Sequence, residues 1–328
     1  MAFLMPAEWA PQDWIWIGFP AHADLWEEDL EPAQAQMAAF ANAVAETGQQ
    51  VRLVVRDDLA EAQARALVSA SIAIEKHPYG DIWLRDTGPL TLLDGAGGRR
   101  AQGFGFNGWG GKFIMPGDLD TGPSLAAAGA LPYSRADWIL EGGAVESDGT
   151  GLLLTTEQCL LNANRNPALS REEIWANLQR DLGFDRVLWL GQGLAGDHTD
   201  GHVDNLARLV DVNTVAIPLA SGADDPNAAV YADARARAQA FGLTVRDVPS
   251  PGLIGEEDDA EPASYMNFAI CNQVVVVPTY GSPHDDEAVA AVGALFPGRA
   301  AVGLRADAVL TGGGSFHCAS QHVPSLRV

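Results

Sequence analysis

A cysteine behind a run of glycines, an imidazole two residues from a carboxylate, and two acids flanking an indole are the groups in this 328-residue chain best equipped for chemistry. Cys318 follows His317 and the glycines Gly312, Gly313 and Gly314 in GGGSFHC (312–318). Glycines adopt backbone conformations closed to residues with a Cβ and can bring a thiol close to a ligand, where its thiolate would be a nucleophile. A core thiol is the competing reading, because free cysteine is among the most buried residue types. Cys159 and Cys271 lie in β-patterned apolar runs and read as core thiols. In GDHTDGHVDN (196–205) one residue separates His202 from Asp204, so on an extended strand both would point to one face. That pairing suits a general acid/base beside a group that binds positive charge. A metal cage of Asp197, His198, Asp200, His202 and Asp204, or a structural turn with solvated acids, would use the same letters. In DIWLRDTGP (81–89), Asp81 and Asp86 flank Trp83 and Arg85. Carboxylate edges and an indole face together suit a planar cation, although the same letters also spell a strand-ending turn. Glu141, in LEGG (140–143), either caps a bend or faces the same cavity.

Groups so far apart in sequence need a scaffold that gathers them. One unit recurs: an acid, His or Gly near a strand start, a turn, a second β-branched strand and then a helix. It appears at 139–157, 201–220 and 264–280. Helical patterns fill the intervals. SREEIWANLQRDLGF (170–184) has Ser170 as N-cap with Glu173 three residues on, and DPNAAVYADARARAQAFG (225–242) ends on Gly242. In the first third, a helix closing at Gly48, a strand in QVRLVVRD, a helix in DLAEAQARALVSA and strands through IAIEKHPYGDIWLRDTGPLTLL continue the alternation. About five such modules follow one another every 50 to 65 residues or so. A repeated unit that cannot cover its own faces implies a closed, pseudo-symmetric array, with strand ends meeting in one axial cavity. No linker or low-complexity tract divides the chain, so a single domain over 1–328 is expected.

Composition narrows the partners. With 20 Lys+Arg against 43 Asp+Glu the formal net charge is −23, and only Lys76 and Lys112 are lysines. Nucleic acid and anionic membranes are disfavoured, whereas a cationic small molecule is drawn to such a field. The same acidity also fits growth in high salt. No window approaches the roughly 20 apolar residues of a membrane span. The first residues lack a signal-peptide pattern and three cysteines make no disulfide framework, so a reducing, cytoplasmic setting is expected. Assembly into a homo-oligomer is left open.

Taken in order, MPAEWAPQDWIWIGFP, DIWLRDTGP, FNGWGGK, LEGGAVESDGTGLLLTTEQCLLNANRNP, GDHTDGHVDN, SYMNFAICNQVVVVPTYG and GGGSFHC resemble the blocks of the agmatine deiminase family of guanidine-modifying pentein enzymes. The resemblance covers nearly the whole chain. It implies a five-bladed α/β propeller of ββαβ modules, with Cys318 as nucleophile, His202 as acid/base and Glu141 orienting it. Asp86 and Asp204 would be the guanidinium-binding carboxylates, with Trp83, Asp81, Trp109, Asp197 and His198 also around the substrate. The implied reaction is hydrolysis of agmatine to N-carbamoylputrescine and ammonia through a thiouronium on Cys318, without metal or organic cofactor. Another guanidine, such as free or peptidyl arginine, is the alternative, and Arg85 would then be the candidate partner for a substrate carboxylate. His198 stands where the family commonly has an acid, which implies a different hold on a substrate's distal amine.

Overall fold

A computed structural model describes residues 3–256 and 259–326. The strands run β1 (Gln12–Gly18), β2 (Gln50–Val55), β3 (Ala73–Lys76), β4 (Leu90–Leu93), β5 (Arg99–Gly105) and β6 (Tyr133–Ile139). They continue as β7 (Glu146–Ser147), β8 (Leu152–Thr156), β9 (Arg186–Leu190), β10 (Arg208–Asp211), β11 (Thr214–Leu219) and β12 (Thr244–Pro249). After the hairpin β13 (Gly255–Glu256) and β14 (Asp259–Ala260) come β15 (Ala269–Ile270), β16 (Val274–Thr279), β17 (Ala300–Arg305) and β18 (Ser320–Pro324). The longer helices are α1 (Leu30–Glu46), α2 (Asp58–Leu67), α3 (Asp118–Ala128), α4 (Arg171–Leu182), α5 (Ala228–Phe241) and α6 (Asp285–Leu295).

Apart from the two-stranded hairpin of β13 and β14, the described strands form five small sheets of one design. A short strand pairs antiparallel with a central strand, and the chain crosses through a helix to a third strand parallel to the centre. Four sheets are continuous in sequence: β4–β5–β6, β7–β8–β9, β10–β11–β12 and β15–β16–β17. The fifth is closed by the other end of the chain. There β18 pairs antiparallel with β1, Ile15 opposite His322, and β1 runs parallel to β2, Ile15 opposite Val51. This sheet alone carries a fourth strand, β3, reached through α2. The arrangement is the five-bladed α/β propeller expected of a pentein.

Local sequence explains the pieces. Central strands are covered on both faces and accordingly read as continuous apolar runs, as in the wholly buried Val274–Thr279. Helix α1 buries Ala33, Met37, Phe40, Ala41 and Val44, one stripe at helical spacing. Helix α4 opens with the expected capping box of Ser170 and Glu173, and closes on Gly183 at φ +82°. Helix α5 ends likewise on Gly242 at φ +98°.

Two sequence expectations need correction. His202 and Asp204 are not on an extended strand: His202 precedes a single helical turn, Val203–Leu206, which contains Asp204. Nor is DIWLRDT a strand, because Leu84–Thr87 forms another single turn. The same irregularity recurs before the first strand of every blade. Leu84–Thr87 precedes β4, Gly142–Ala144 precedes β7, Val203–Leu206 precedes β10, Tyr265–Asn267 precedes β15 and the turn around Cys318 precedes β18. Such turns end the strand ladders early and leave side chains at the axis, a service that continuous strands would not provide.

Candidate active site

Hydrogen bonds link four of the five neighbouring pairs of turns around the axis; Gly142–Ala144 and Val203–Leu206 meet by close packing at Gly143 instead. Gly143 N donates to Asp86 Oδ1 at 2.9 Å, Ser264 Oγ to Asn205 O at 2.6 Å, and Asn267 Nδ2 to Asn205 Oδ1 at 2.8 Å. His317 N donates to Asn267 Oδ1 at 3.0 Å, and Arg85 N donates to Cys318 O at 3.0 Å. Gly143 is the point of closest approach. A Cβ there would lie 2.6 Å from His202 Nδ1 and 3.1 Å from both Asp204 Oδ2 and Asp86 Oδ1, so only glycine lets the three groups meet.

Cys318 Sγ faces Asp204 Oδ2 at 3.5 Å and accepts a hydrogen bond from Asn267 Nδ2 at 3.0 Å. Burial, followed by the charges of Asp204 and Asp86, pushes this thiol well above its ordinary pKa. Asp86 is held on both oxygens, by Gly143 N and by Trp109 Nε1 at 2.9 Å. Its carboxyl is raised, mainly by burial. Asp204 moves the other way: burial would raise it, but the hydrogen bond and charge of His317 outweigh that and lower it. His202 is fully buried and its Nδ1 lies 3.8 Å from Asp86 Oδ1. Burial alone would depress its pKa, but the Asp86 charge prevails and holds it well above the ordinary value.

Glu141 is equally buried. One oxygen accepts from Arg165 Nε at 2.6 Å; the other, Oε2, has no hydrogen-bond partner, and neither ring nitrogen of His202 has one. Glu141 is thus near His202 without being bonded to it.

Of these residues Asp86 and Cys318 line a cavity of about 140 Å³, walled also by Asp81, Trp83, Trp109 and His198 among others, whereas Asp204, His202 and Glu141 are buried off its wall. Trp83 is pressed against the glycine run: a Cβ on Gly312 or Gly314 would come within 2.9 and 2.7 Å of its ring. Asp81 accepts from Trp26 Nε1 at 3.0 Å, and burial pushes its pKa up to about 7. His198 sits at the mouth, its ring 5.7 Å from that of Phe113. Asp197 is not on the wall and builds the turn instead, accepting from Thr199 N at 2.8 Å. Asp200 turns outward to Lys112 Nζ at 2.6 Å and Arg165 Nη1 at 2.7 Å. The five-residue metal cage is therefore not assembled. Arg85 is also away from the cavity, buried and directed at His317 O and Gln321 Oε1, both at 3.3 Å.

Several supporting groups had no sequence signal strong enough to find them. His317 bridges two acids, with Nδ1 2.7 Å from Asp204 Oδ2 and Nε2 2.7 Å from Glu8 Oε2. Arg208 Nη2 binds Glu8 at 2.7 Å while its Nε binds Glu146, and its Nη1 meets the carbonyls of Met266 and Phe268. Cys159 is buried as expected, yet it lies beside Glu141 and His202. The HC of the final block and the EW of the first were the available hints for His317 and Glu8.

The arrangement can hold a flat cation edge-on between Asp86 and Asp204, within reach of a thiol. A sequence profile of Porphyromonas-type peptidyl-arginine deiminases matches residues 4–324. The agmatine deiminase of Stutzerimonas stutzeri is 36% identical, over 98% of this chain and 96% of that one. Among solved structures, an agmatine deiminase of Enterococcus faecalis superimposes with a TM-score of 0.93 at 31% identity, covering 99% of this chain and 96% of that one. One of C. jejuni with substrate bound gives 0.92 at 27%, covering 99% and 97%.

Proposed function

From the premise that the chain belongs to the Porphyromonas-type peptidyl-arginine deiminase family, within which its sequence is similar to agmatine deiminases, we propose that it hydrolyses agmatine to N-carbamoylputrescine and ammonia. It is a hydrolase of C–N bonds in a guanidino compound. The observation that carries the reading is that Cys318 and Asp86 share one cavity wall while the buried Asp204 Oδ2 lies against Cys318 Sγ.

The empty site holds its thiol protonated, because two carboxylates and burial oppose a thiolate. A guanidinium seated between Asp86 and Asp204 cancels that opposition, so the substrate's own charge lowers the barrier to ionising Cys318, whose proton passes to solvent. The thiolate then forms a C–S bond to the guanidinium carbon. As the C–N bond breaks, His202, protonated by virtue of its raised pKa, gives the leaving nitrogen a proton and ammonia departs. Water adds to the resulting thiouronium and His202 takes one of its protons; the C–S bond then breaks as the carbonyl forms, and the departing sulfur takes up the remaining hydroxyl proton to restore the thiol. Alignment of the planar cation by two fixed carboxylates supplies the positioning that a poor electrophile needs.

The cavity favours agmatine over free arginine. An amino-acid substrate needs a cation for its carboxylate, and no Lys or Arg lines the described wall. Asp81 offers a carboxyl to a distal ammonium in its place, and His198 stands at the mouth. A thiol-dependent enzyme with this chemistry suits the cytoplasm. An ammonia-release screen over agmatine, arginine and related guanidines tests the reading; turnover of arginine with none of agmatine would overturn it.

A further inference from the structure

Cys159, buried beside the site, is not used by this reaction. A carboxylate oxygen of Glu141, the sulfur of Cys159 and a ring nitrogen of His202 lie within 4.8 Å of one another, and all three residues are buried. We infer that these three residues form a binding site for one divalent cation of the zinc class, whose occupancy withdraws the His202 imidazole from catalysis.

Three further observations support it. Glu141 Oε2 and both nitrogens of His202 are buried without hydrogen-bond partners, so the donors are free. Thiolate, imidazole and carboxylate are the ligand set that zinc takes, at bond lengths of about 2.0 to 2.3 Å, which brings donors to within about 4 Å of each other. Closing from the present spacing takes no more than roughly an ångström. Arg165 Nε holds Glu141 Oε1 at 2.6 Å and thereby fixes the carboxylate with Oε2 available, as an outer-shell partner does. A second trio of metal-binding residues, Glu8, Glu146 and His317, lacks this freedom, since Arg208 engages both acids and His317 is bonded on both nitrogens.

On binding, the Cys159 S–H proton and the proton of His202 pass to solvent as the metal–sulfur and metal–nitrogen bonds form, while Glu141 binds as the carboxylate. Thiolate and carboxylate balance the two positive charges, and a water fills the fourth position.

Cobalt(II) and zinc(II) are the probes. Metal binding itself does not depend on the proposed reaction; only the expectation of inhibition rests on it, and the spectroscopy is independent of turnover. Wild type and Cys318→Ser should each bind one Co(II) with a thiolate-to-cobalt charge-transfer band, and zinc-edge absorption of Cys318→Ser should show a single sulfur. Cys159→Ala should lose the band and bind at least about tenfold more weakly. Zinc should inhibit ammonia release by wild type, reversibly with chelator, and leave whatever activity Cys159→Ala retains uninhibited. A band lost in Cys318→Ser, a zinc shell without sulfur in that variant, or no Co(II) uptake by folded wild type would each overturn the site. If Cys159→Ala fails to fold, the single-sulfur shell of Cys318→Ser decides.

Discussion

The His317 imidazole presents Nδ1 to Asp204 at 2.7 Å, while Asp204 faces the thiol of the next residue, Cys318, at 3.5 Å. Adjacent residues thus share one carboxylate, and through its Nε2 His317 ties that carboxylate to Glu8. His317 should act as a positioning residue. His317→Ala is expected to reduce kcat/KM for agmatine by about tenfold to a hundredfold through a misplaced Asp204, with His317→Gln retaining part of the activity. Equal kcat/KM in wild type and both variants would show that Asp204 needs no support.

Cys318→Ser should abolish ammonia release while preserving the fold and agmatine binding, because an alkoxide is far harder to generate here than a thiolate. Asp86→Asn and Asp204→Asn should each cost about 3 kcal/mol or more of transition-state stabilisation, as each removes a desolvated charge-assisted contact. Steady-state kinetics showing less than about a tenfold loss would place that carboxylate outside contact with the guanidinium.

The charge of Glu141 helps hold the His202 pKa up. Glu141→Gln should therefore move the alkaline limb of the kcat profile to lower pH, since His202 loses its proton sooner and can no longer supply the leaving nitrogen. An unmoved limb would remove Glu141 from the control of His202.

Asp81 gives a stability signature. Its folded pKa is pushed up to about 7 against an ordinary 3.8, so between those values the folded state keeps a proton that the unfolded state has lost. Stability should fall as pH rises through that window, and Asp81→Asn should flatten the fall, in the unliganded protein, by an amount on the order of a few kcal/mol. Agmatine, if its ammonium meets Asp81, should raise Tm by more in wild type than in Asp81→Asn at pH near 8. Melting curves at several pH values check both.

His198 at the cavity mouth gives a test of tail recognition. His198→Asp should lower KM for agmatine with little change in kcat, and should do little for a guanidine of equal length without the amine. An unchanged KM would mean that residue 198 does not touch the tail.

Much of this protein was legible in its sequence, because the governing interactions are local. The capping box at Ser170 and Glu173, the closing Gly242, the apolar central strands and the regular module spacing each express a preference of a few neighbouring residues. The polar clusters at strand starts also marked where the axis would be. Asp86, Asp204, His202 and Cys318 stand out in the sequence because their residue types are chemically expressive and their blocks resemble a known family. What only the tertiary structure decided is how those groups meet. Single-turn segments replaced expected strand at Leu84–Thr87 and Val203–Leu206 because the axial hydrogen bonds, such as Gly143 N to Asp86, are long-range and override local pattern. Arg85, adjacent to the site in sequence, faces His317 O and Gln321 instead of the cavity, whereas Glu8 and Arg208, 200 residues apart, are bonded. A buried charge is stable only with its partners around it. No window of sequence contains those partners, since the closed ring of five blades brings them together.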